Sequence, residues 1–378
     1  MKLLILDESY RGRLRSLTAQ LRGEVVAAKL DPLRGLGGPI GPARGVRSRD
    51  VGCTLDQVPR LVAEAEADAI FFVPSWTHPV DELLATLAAL PGPSDRPPVV
   101  LFDTFDQSTS PYFAAIPLVD LYLKSQVYRD RSLYNAPMAG GFIVADWVHR
   151  QLGLDLGSWH FGSPIPEGFG SRLVCGWNMG VSRFYRHLGD LSRLAGPRWR
   201  DRPIEINRRF GVPDPTTATN WEWYQEYRRF CGLRVTELCG GFRQTGHTPL
   251  PRLRYLEEMR RSRIGFSPFG WGEVCFRDFE TVALGAVLVK PDMGHLETYP
   301  DIYEDGVTYK AVRWDLSDLP EVCRWLLDHP DEAERIAETA RARLASYIRG
   351  GRFAAQLERI LERLGPRAEG AEVGPAPR

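Results

Sequence analysis

The sequence predicts an α/β protein in which short buried strands alternate with helices. Its apolar runs lack polar alternation, a pattern typical of strands covered on both faces of a parallel sheet. Strands that alternate with helical patterns form right-handed βαβ units, so we expect parallel sheets. The apolar runs are residues 3–6, 69–73, 99–102, 204–206, 264–266 and 286–289, and the helical patterns include residues 55–66, 80–90, 221–231 and 331–364.

The predicted strands fall into two sets, one within residues 1–145 and one that begins near residue 203. A chain of 378 residues also fits two domains, at about 100–200 residues each. Two doubly wound domains that face each other form a cleft at the carboxyl ends of their strands, where such folds bind ligands. The expected parts are an N-terminal domain (1–190), a second domain (200–345), a C-terminal helix packing back toward the first domain (346–364) and a disordered tail (365–378).

The charge balance and the cysteines narrow the class of protein. Lys and Arg total 48, as do Asp and Glu, so the chain lacks the basic excess that a nucleic-acid coat requires. The six cysteines contain no CxxC pair, which argues against a disulfide framework and a zinc ribbon. No apolar run approaches the ~18 residues of a membrane span. We therefore expect a cytoplasmic protein with no nucleic-acid partner and no transmembrane segment.

Residues 265–291 predict a strand, a glycine-rich loop, a helix and a second strand. Gly270 and Gly272 allow a close approach of the backbone to a ligand, and the helix that follows directs free N–H groups to the same place. An anion such as a diphosphate suits that position, and Arg277 offers it a charge-assisted contact. Glu280, three residues later, is placed to accept hydrogen bonds from a ribose diol. The alternative is a tight βα turn with an Arg–Glu surface pair.

Several motifs in this part of the chain resemble those of one enzyme family. They are Arg277-Asp278-Phe279-Glu280, Gly285-Ala286, Glu304-Asp305-Gly306 and a helical ending over residues 325–337. Together they resemble the donor half of GT-B glycosyltransferases, most closely the "glycosyl transferases group 1" domain, including the branch related to spore-maturation protein CgeB. The resemblance implies two Rossmann-like domains that face a central cleft. It further implies that the N-terminal domain (1–190) binds the acceptor and that the second domain (200–345) binds the nucleotide sugar.

The resemblance also implies roles for individual residues. Glu280 matches the glutamate that holds the nucleotide ribose, and Phe276 and Arg277 match positions beside the donor diphosphate. Glu273 is a further candidate for donor binding, although the family's spacing would put its first glutamate at the position of Gly272.

Two arginines follow the predicted strand 204–206. Arg208 and Arg209 therefore lie at the carboxyl end of the first strand of the second domain, where a guanidinium can neutralise a leaving diphosphate. We assign Arg208 to donor binding and Arg209 to catalysis, and the resemblance supports a basic residue there. The alternative is a solvated pair in an arginine-rich chain.

Two carboxylates, Asp103 and Asp106, follow the predicted strand 99–102. A carboxylate at that edge of the sheet can act as general base toward an acceptor hydroxyl. Asp7 and Glu8 occupy an equivalent position after the first strand, and N-capping or a turn hydrogen bond is the alternative role. The histidines show no HxH or HExxH pairing, so no metal site is expected.

Taken together, the resemblance implies a glycosyltransferase that moves a sugar from a nucleotide-diphosphate sugar to an acceptor hydroxyl, without a metal or other cofactor. The acceptor is expected to be a glycan, a lipid-linked molecule or a protein, in glycan, glycoconjugate or polysaccharide biosynthesis, and peripheral membrane association stays open. Two alternatives remain: a GT-B-fold nucleotide-sugar epimerase, and a non-catalytic two-domain protein that binds sugars or nucleotides.

Overall fold

The structure is a computed structural model that describes residues 1–8, 26–33, 46–195, 197–212, 222–349 and 351–365. It contains two parallel sheets flanked by helices, which confirms the predicted α/β class and its GT-B arrangement of two Rossmann-like sheets. Apart from Gly365, the predicted disordered tail lies outside the described residues. The domain boundaries remain predictions.

The first sheet has six parallel strands in the order β2-β1-β3-β4-β5-β7. The chain leaves β1 toward β2 and then returns to β3 on the other side of β1, so the strand order reverses beside β1. Ligands bind at the carboxyl ends of strands near such a reversal. The strands are β1 (Lys2–Asp7), β2 (Arg47–Gly52), β3 (Ala69–Val73), β4 (Val99–Asp103), β5 (Leu121–Lys124) and β7 (Leu173–Cys175).

Every residue of β3 and β4 is buried, as the unbroken apolar runs predicted. Alternate side chains enter two different cores, because successive residues of a strand point to opposite faces. Phe71 and Val73 join one core, whereas Ile70 and Phe72 join the other. The sheet is therefore covered on both faces.

The second sheet has four parallel strands in the order β12-β10-β9-β8. A separate two-stranded antiparallel sheet, which we call the bridging ribbon, pairs β6 from the first half with β11 from the second. The strands are β6 (Gln126–Tyr128), β8 (Ile204–Asn207), β9 (Ser262–Phe266), β10 (Val287–Pro291), β11 (Leu296–Thr298) and β12 (Lys310–Val312). The bridging ribbon was not predicted from the sequence.

The helices that cover the sheets are α1 (Val58–Ala63), α2 (Val80–Ala88), α3 (Ile143–Leu152), α4 (Arg183–Ala195), α5 (Glu222–Leu238), α6 (Arg252–Arg260), α7 (Phe276–Ala283), α8 (Leu319–Asp328), α9 (Pro330–Arg349) and α10 (Arg352–Glu362). Residues 26–33 are also helical. None of the helices in the described ranges is both long and apolar enough to cross a lipid bilayer.

Two helices pack against the opposite half of the molecule from the one that precedes them in the chain. α10 buries Phe353 and Leu357 in the core of the first sheet, where Phe353 meets the Trp177 ring edge-on at 5.0 Å. α4 lies against α7 and α9 of the second half, with Tyr185 5.4 Å from Phe279 between ring centroids. The two halves therefore exchange helices at both of their connections.

Candidate functional site

A cavity of about 530 Å³ opens at the carboxyl ends of the strands, between the two halves. We call it the donor cavity. The name refers to the nucleotide-sugar donor that the sequence resemblance implies for its residues. Its lining joins residues from loops that are far apart in the chain. Those predicted from the sequence that line it are Asp106, Arg209, Gly270, Gly272, Phe276, Arg277 and Glu280.

The glycine-rich loop between β9 and α7 forms one wall of the donor cavity. Its Gly270 N–H donates to the Gly272 carbonyl at 2.9 Å, which folds the loop back on itself. A Cβ on Gly272 would lie 1.8 Å from the Asp106 backbone oxygen, so only glycine fits there. The glycine thus allows the loop of the second half to touch the first half directly, in addition to lining the cavity.

The first turn of α7 is held in place by a buried carboxylate. Asp278 accepts from the Cys275 N–H at 2.9 Å and from the Tyr303 hydroxyl at 2.8 Å, and it lies 3.3 Å from the Lys290 ammonium. The first N–H groups of a helix have no acceptor within the helix. In α7 these belong to Phe276 and Arg277, and both residues line the donor cavity. The helix therefore offers partial positive charge to an anion.

Glu280 is a buried carboxylate on the wall of the donor cavity, with 2% of its surface exposed. Its Oε2 accepts a hydrogen bond from the Tyr255 hydroxyl at 2.7 Å. Its Oε1 lies 2.7 Å from Arg252 Nη2, but the pair is not aligned as a hydrogen bond, and Oε1 has no donor among the described residues. Buried acceptors are rarely left without a donor. Oε1 is therefore an acceptor suited to a ligand hydroxyl.

Four arginines and two carboxylates line the donor cavity, which gives it an excess of positive charge. One of them, Arg228 of α5, was missed by the sequence analysis. It is 7% exposed and lies over the Phe210 and Tyr224 rings, and its Nε has no acceptor among the described residues. Arg277 lies over the same Phe210 ring, 5.9 Å from its centroid. The one feature of the sequence that could have indicated a site role for Arg228 was its place beside Tyr227 on the buried side of α5.

The two arginines that follow β8, both predicted as site residues, have different surroundings in the structure. Arg209 lines the donor cavity, but its fork is already engaged by Glu258, with both N–O distances 2.6 Å. Arg208 does not line the cavity and donates to the Thr245 carbonyl and the Thr236 hydroxyl. The structure therefore does not bring Arg208 to the cavity, and its donor contact stays a prediction. The backbone turns directly after β8, where the Phe210 N–H donates to the Arg208 carbonyl at 2.9 Å.

The two carboxylates predicted as candidates for the general base, Asp103 and Asp106, also have different surroundings. Asp103 is 1% exposed and is held by the Lys124 ammonium at 3.2 Å and the Tyr122 hydroxyl at 2.5 Å. It lies outside the donor cavity, so the structure does not bring it to the other predicted site residues, and its catalytic role stays a prediction. Asp106 lines the cavity, and its Oδ1 lies 3.4 Å from the buried Lys29 ammonium. Of the two, only Asp106 is placed to contact a ligand.

Glu273 is fully buried and does not line the donor cavity, so its donor contact stays a prediction. It accepts from the Ser108 hydroxyl at 2.5 Å and from the Ser108 N–H at 3.2 Å, so it joins loops of the two halves. Burial raises the pKa of Glu273 to about 7. Its Oε1 lies 4.0 Å from Nε2 of His295, whose pKa burial lowers to about 4.

The described residues contain no group of three or more His, Cys, Asp or Glu side chains that is arranged to hold a metal ion. The donor cavity presents guanidinium groups and helix N–H groups where a metal-dependent site presents carboxylates. The chemistry it offers to a ligand is recognition of an anion beside a hydroxyl-bearing group.

Comparison with known proteins gave a partial sequence match. Residues 183–359 match the family model described as glycosyl transferase-like. This region contains the glycine-rich loop, Arg228, Arg277 and Glu280. A search of curated protein sequences gave no match.

The chain is also similar over most of its length to several solved structures. Anabaena Alr3699/HepE in complex with UDP-glucose is 13% identical, with a TM-score of 0.45 and coverage of 96% of this chain and 99% of that one. An alpha-glucosyltransferase in complex with UDP is 12% identical, with a TM-score of 0.49 and coverage of 95% and 99%. A glycosyltransferase from Rickettsia africae ESF-5 is 11% identical, with a TM-score of 0.45 and coverage of 97% and 99%.

Proposed function

We propose that the protein is a glycosyltransferase that moves a sugar from a nucleotide-diphosphate sugar to an acceptor hydroxyl. One observation carries the proposal. The donor cavity places the buried Glu280 carboxylate beside Arg228, Arg277 and the first turn of α7. An acceptor for a diol and several donors for an anion lie in one cavity, which is the pattern that a nucleoside diphosphate requires. The match of residues 183–359 to glycosyl transferase-like proteins supports it.

In the proposed complex, the ribose hydroxyls donate to Glu280 Oε1, which also forms an ion pair with Arg252 Nη2 at 2.7 Å. The diphosphate accepts from Arg228, Arg277 and the N–H groups that begin α7. These donors are fixed before the reaction, because Arg277 also donates to the Arg209 carbonyl and both guanidinium groups lie over Phe210. Preorganised donors stabilise the charge that develops on a leaving diphosphate, so the proposal needs no metal ion.

Asp106 is the proposed general base. Its Oδ1 lies near Lys29, whereas its Oδ2 has no hydrogen-bond donor among the described residues. In the proposed reaction, a carboxylate oxygen takes the proton from the acceptor hydroxyl as that oxygen bonds to the sugar. The bond between the sugar and the diphosphate breaks, and the nucleoside diphosphate leaves with the electron pair. Asp106 belongs to the first half and the donor groups to the second, so both halves are required.

The proposed acceptor is a hydroxyl of a glycan, a lipid-linked molecule or a protein, in glycan biosynthesis in the cytoplasm. One structural relative is described in complex with DNA. We leave nucleic acid out of the proposed acceptors because the basic and acidic residues of this chain balance at 48 each. Placement beside the CgeB-related branch is part of the same proposal.

A panel of UDP-, GDP-, CMP-, ADP- and dTDP-sugars tests the proposal, first by thermal shift and then by product analysis. A glycosyltransferase is stabilised by one donor and releases the free nucleotide when an acceptor is added. An epimerase isomerises the sugar of the donor without any acceptor. A binding protein is stabilised and produces neither product. Absence of stabilisation by every donor would overturn the proposal.

A further inference from the structure

A second cavity, of about 550 Å³, lies at the opposite end of the second sheet from the donor cavity. We call it the rear cavity. It is bordered by residues 197–202, which precede β8, and by Gly285, which precedes β10, so it lies at the amino ends of the strands. Four arginines and two glutamates line it, namely Arg198, Arg200, Arg202, Arg341, Glu334 and Glu338. The two cavities share no lining residue.

Arg202 is the most buried charge of the rear cavity, with 4% of its surface exposed. Its Nη1 donates to the Ser262 carbonyl at 2.8 Å and its Nη2 to the Leu284 carbonyl at 3.0 Å. Its Nε is buried and has no acceptor, and Arg202 takes part in none of the ion pairs found among the described residues. Burial and the charges of Arg341 and Arg260 lower its pKa to about 10. A buried cation without a carboxylate partner is costly unless an anion approaches it.

Gly285 marks a position between two of the guanidinium groups. A Cβ there would lie 3.1 Å from Arg202 Nη2 and 3.3 Å from Arg341 Nη1. The two like charges therefore flank one point on the cavity wall. Glu334, one of the two glutamates of the cavity, pairs with Arg200 at 2.8 Å. The four arginines of the rear cavity outnumber its two glutamates, which gives the cavity an excess of positive charge.

We propose that the rear cavity is a second anion site that binds a diphosphate group. Its size admits more than a single phosphate, and its guanidinium groups approach from two sides, which suits an anion with several acceptor oxygens. Residues 197–202 connect the two halves, and Arg341 belongs to α9, which packs against α4 and α7. A diphosphate bound between residues 197–202 and Arg341 therefore links the segment that connects the two halves to α9, and through α9 to α4 and α7. The diphosphate group is either inorganic pyrophosphate or part of a nucleotide.

Titration calorimetry of the full chain with pyrophosphate tests the proposal. We expect two binding components, since pyrophosphate also fits the donor cavity. Arg341→Gln should weaken one component about tenfold and leave the other unchanged, because it removes a charge-assisted contact. Arg277→Gln should do the reverse. Arg335→Gln is the matched control, because Arg335 is exposed on the same helix and does not line the rear cavity.

A single component that only Arg277→Gln weakens would overturn the rear site. Loss in Arg341→Gln without loss in Arg277→Gln would retain the rear site and count against the proposed donor site, so the two proposals fail separately. Arg198→Gln provides a second variant at an exposed lining residue if Arg341→Gln does not fold. It should weaken the same component, and an unchanged titration would contradict the proposal. Repeating the titration with ADP, with and without the Arg341→Gln change, distinguishes a nucleotide from free pyrophosphate.

Discussion

Glu273 and Ser108 form a buried hydrogen-bonded pair that joins the two halves beside the donor cavity. The Ser108 hydroxyl and N–H donate to the two different oxygens of the Glu273 carboxylate, at 2.5 Å and 3.2 Å. The carboxylate is fully buried, so its protonation state affects the stability of this junction.

Glu273→Gln should change how stability depends on pH. The folded protein keeps the Glu273 proton up to about pH 7, whereas the unfolded chain releases it near its ordinary value of 4.5. The wild type therefore loses stability from this group as pH rises from about 4.5 to 7, by about 3 kcal/mol. Gln does not ionise, so the variant should gain stability relative to the wild type over that interval, measured by urea unfolding at several pH values.

His295 acts in the opposite direction, because its folded pKa of about 4 lies below its ordinary value of 6.5. Its contribution rises with pH between those values and is present in both proteins, so the difference between them reports on Glu273. A difference in stability that stays constant from pH 4 to pH 8 would contradict the raised pKa of Glu273.

Glu280→Ala should weaken nucleotide binding by about 1–3 kcal/mol, the loss expected for a charged hydrogen-bond pair to a ribose. The measurement is titration calorimetry with the nucleoside diphosphate of whichever donor stabilises the protein. Glu321→Ala is the control, because Glu321 is exposed on α8 and does not line the donor cavity. Equal affinity in wild type and Glu280→Ala would remove Glu280 from the ribose role.

Arg228→Met should separate recognition of the diphosphate from recognition of the nucleoside. The change removes a buried charge and keeps a long side chain, so we expect the melting temperature to hold or rise. Affinity for a nucleoside diphosphate should fall by about 1.5–3 kcal/mol, while affinity for the nucleoside alone is unchanged. Arg229→Met is the control, since Arg229 pairs with Glu226 outside the cavity. Equal losses for both ligands would contradict the diphosphate contact.

Asp106→Asn and Asp103→Asn should have different effects. Asp106→Asn should lower kcat by about 10²–10⁴-fold with donor affinity retained, because it removes the proposed base. Asp103→Asn leaves the buried Lys124 without its carboxylate, which should cost about 3–5 kcal/mol of folding stability. Initial rates and urea unfolding on both variants test this. Full activity in Asp106→Asn would exclude it as the base.

Gly272→Ala should disturb the contact between the halves, since the added methyl would meet the Asp106 backbone oxygen at 1.8 Å. Overpacking of this kind costs about 1–3 kcal/mol or more. Gly241→Ala is the control, because no atom lies within 4 Å of the Cβ it would add. Thermal unfolding compares them, and equal melting temperatures would show that the loop moves aside freely.

Local features of the fold could be predicted from the sequence. β3 is apolar throughout and β4 is apolar up to its last residue, Asp103, and complete burial on both faces is the physical reason for that pattern. The glycine-rich loop and Glu280 were also predicted, because the strand, the loop and the helix are contiguous in the chain. The bridging ribbon was not predicted, since β6 and β11 are three residues each and pair across the two halves.

The predicted site residues that lie outside the donor cavity are held there by contacts between distant segments. Asp103 and Asp106 follow the same strand, and only the pairing of Asp103 with Lys124 of β5 decides which one reaches the donor cavity. Glu273 has the residue type expected beside a donor sugar, but Ser108 of the other half occupies its carboxylate. Arg228 enters the cavity from α5, a helix with no recognisable motif.

The bridging ribbon has a consequence for how the molecule unfolds. Each of its strands comes from a different half, and main-chain hydrogen bonds between Leu296 and Tyr128 and their neighbours join them. Neither half can lose its structure without also breaking this ribbon and exposing the edge of its partner. The two sheets are therefore coupled into one cooperative unit, and a lesion in either half lowers the stability of both.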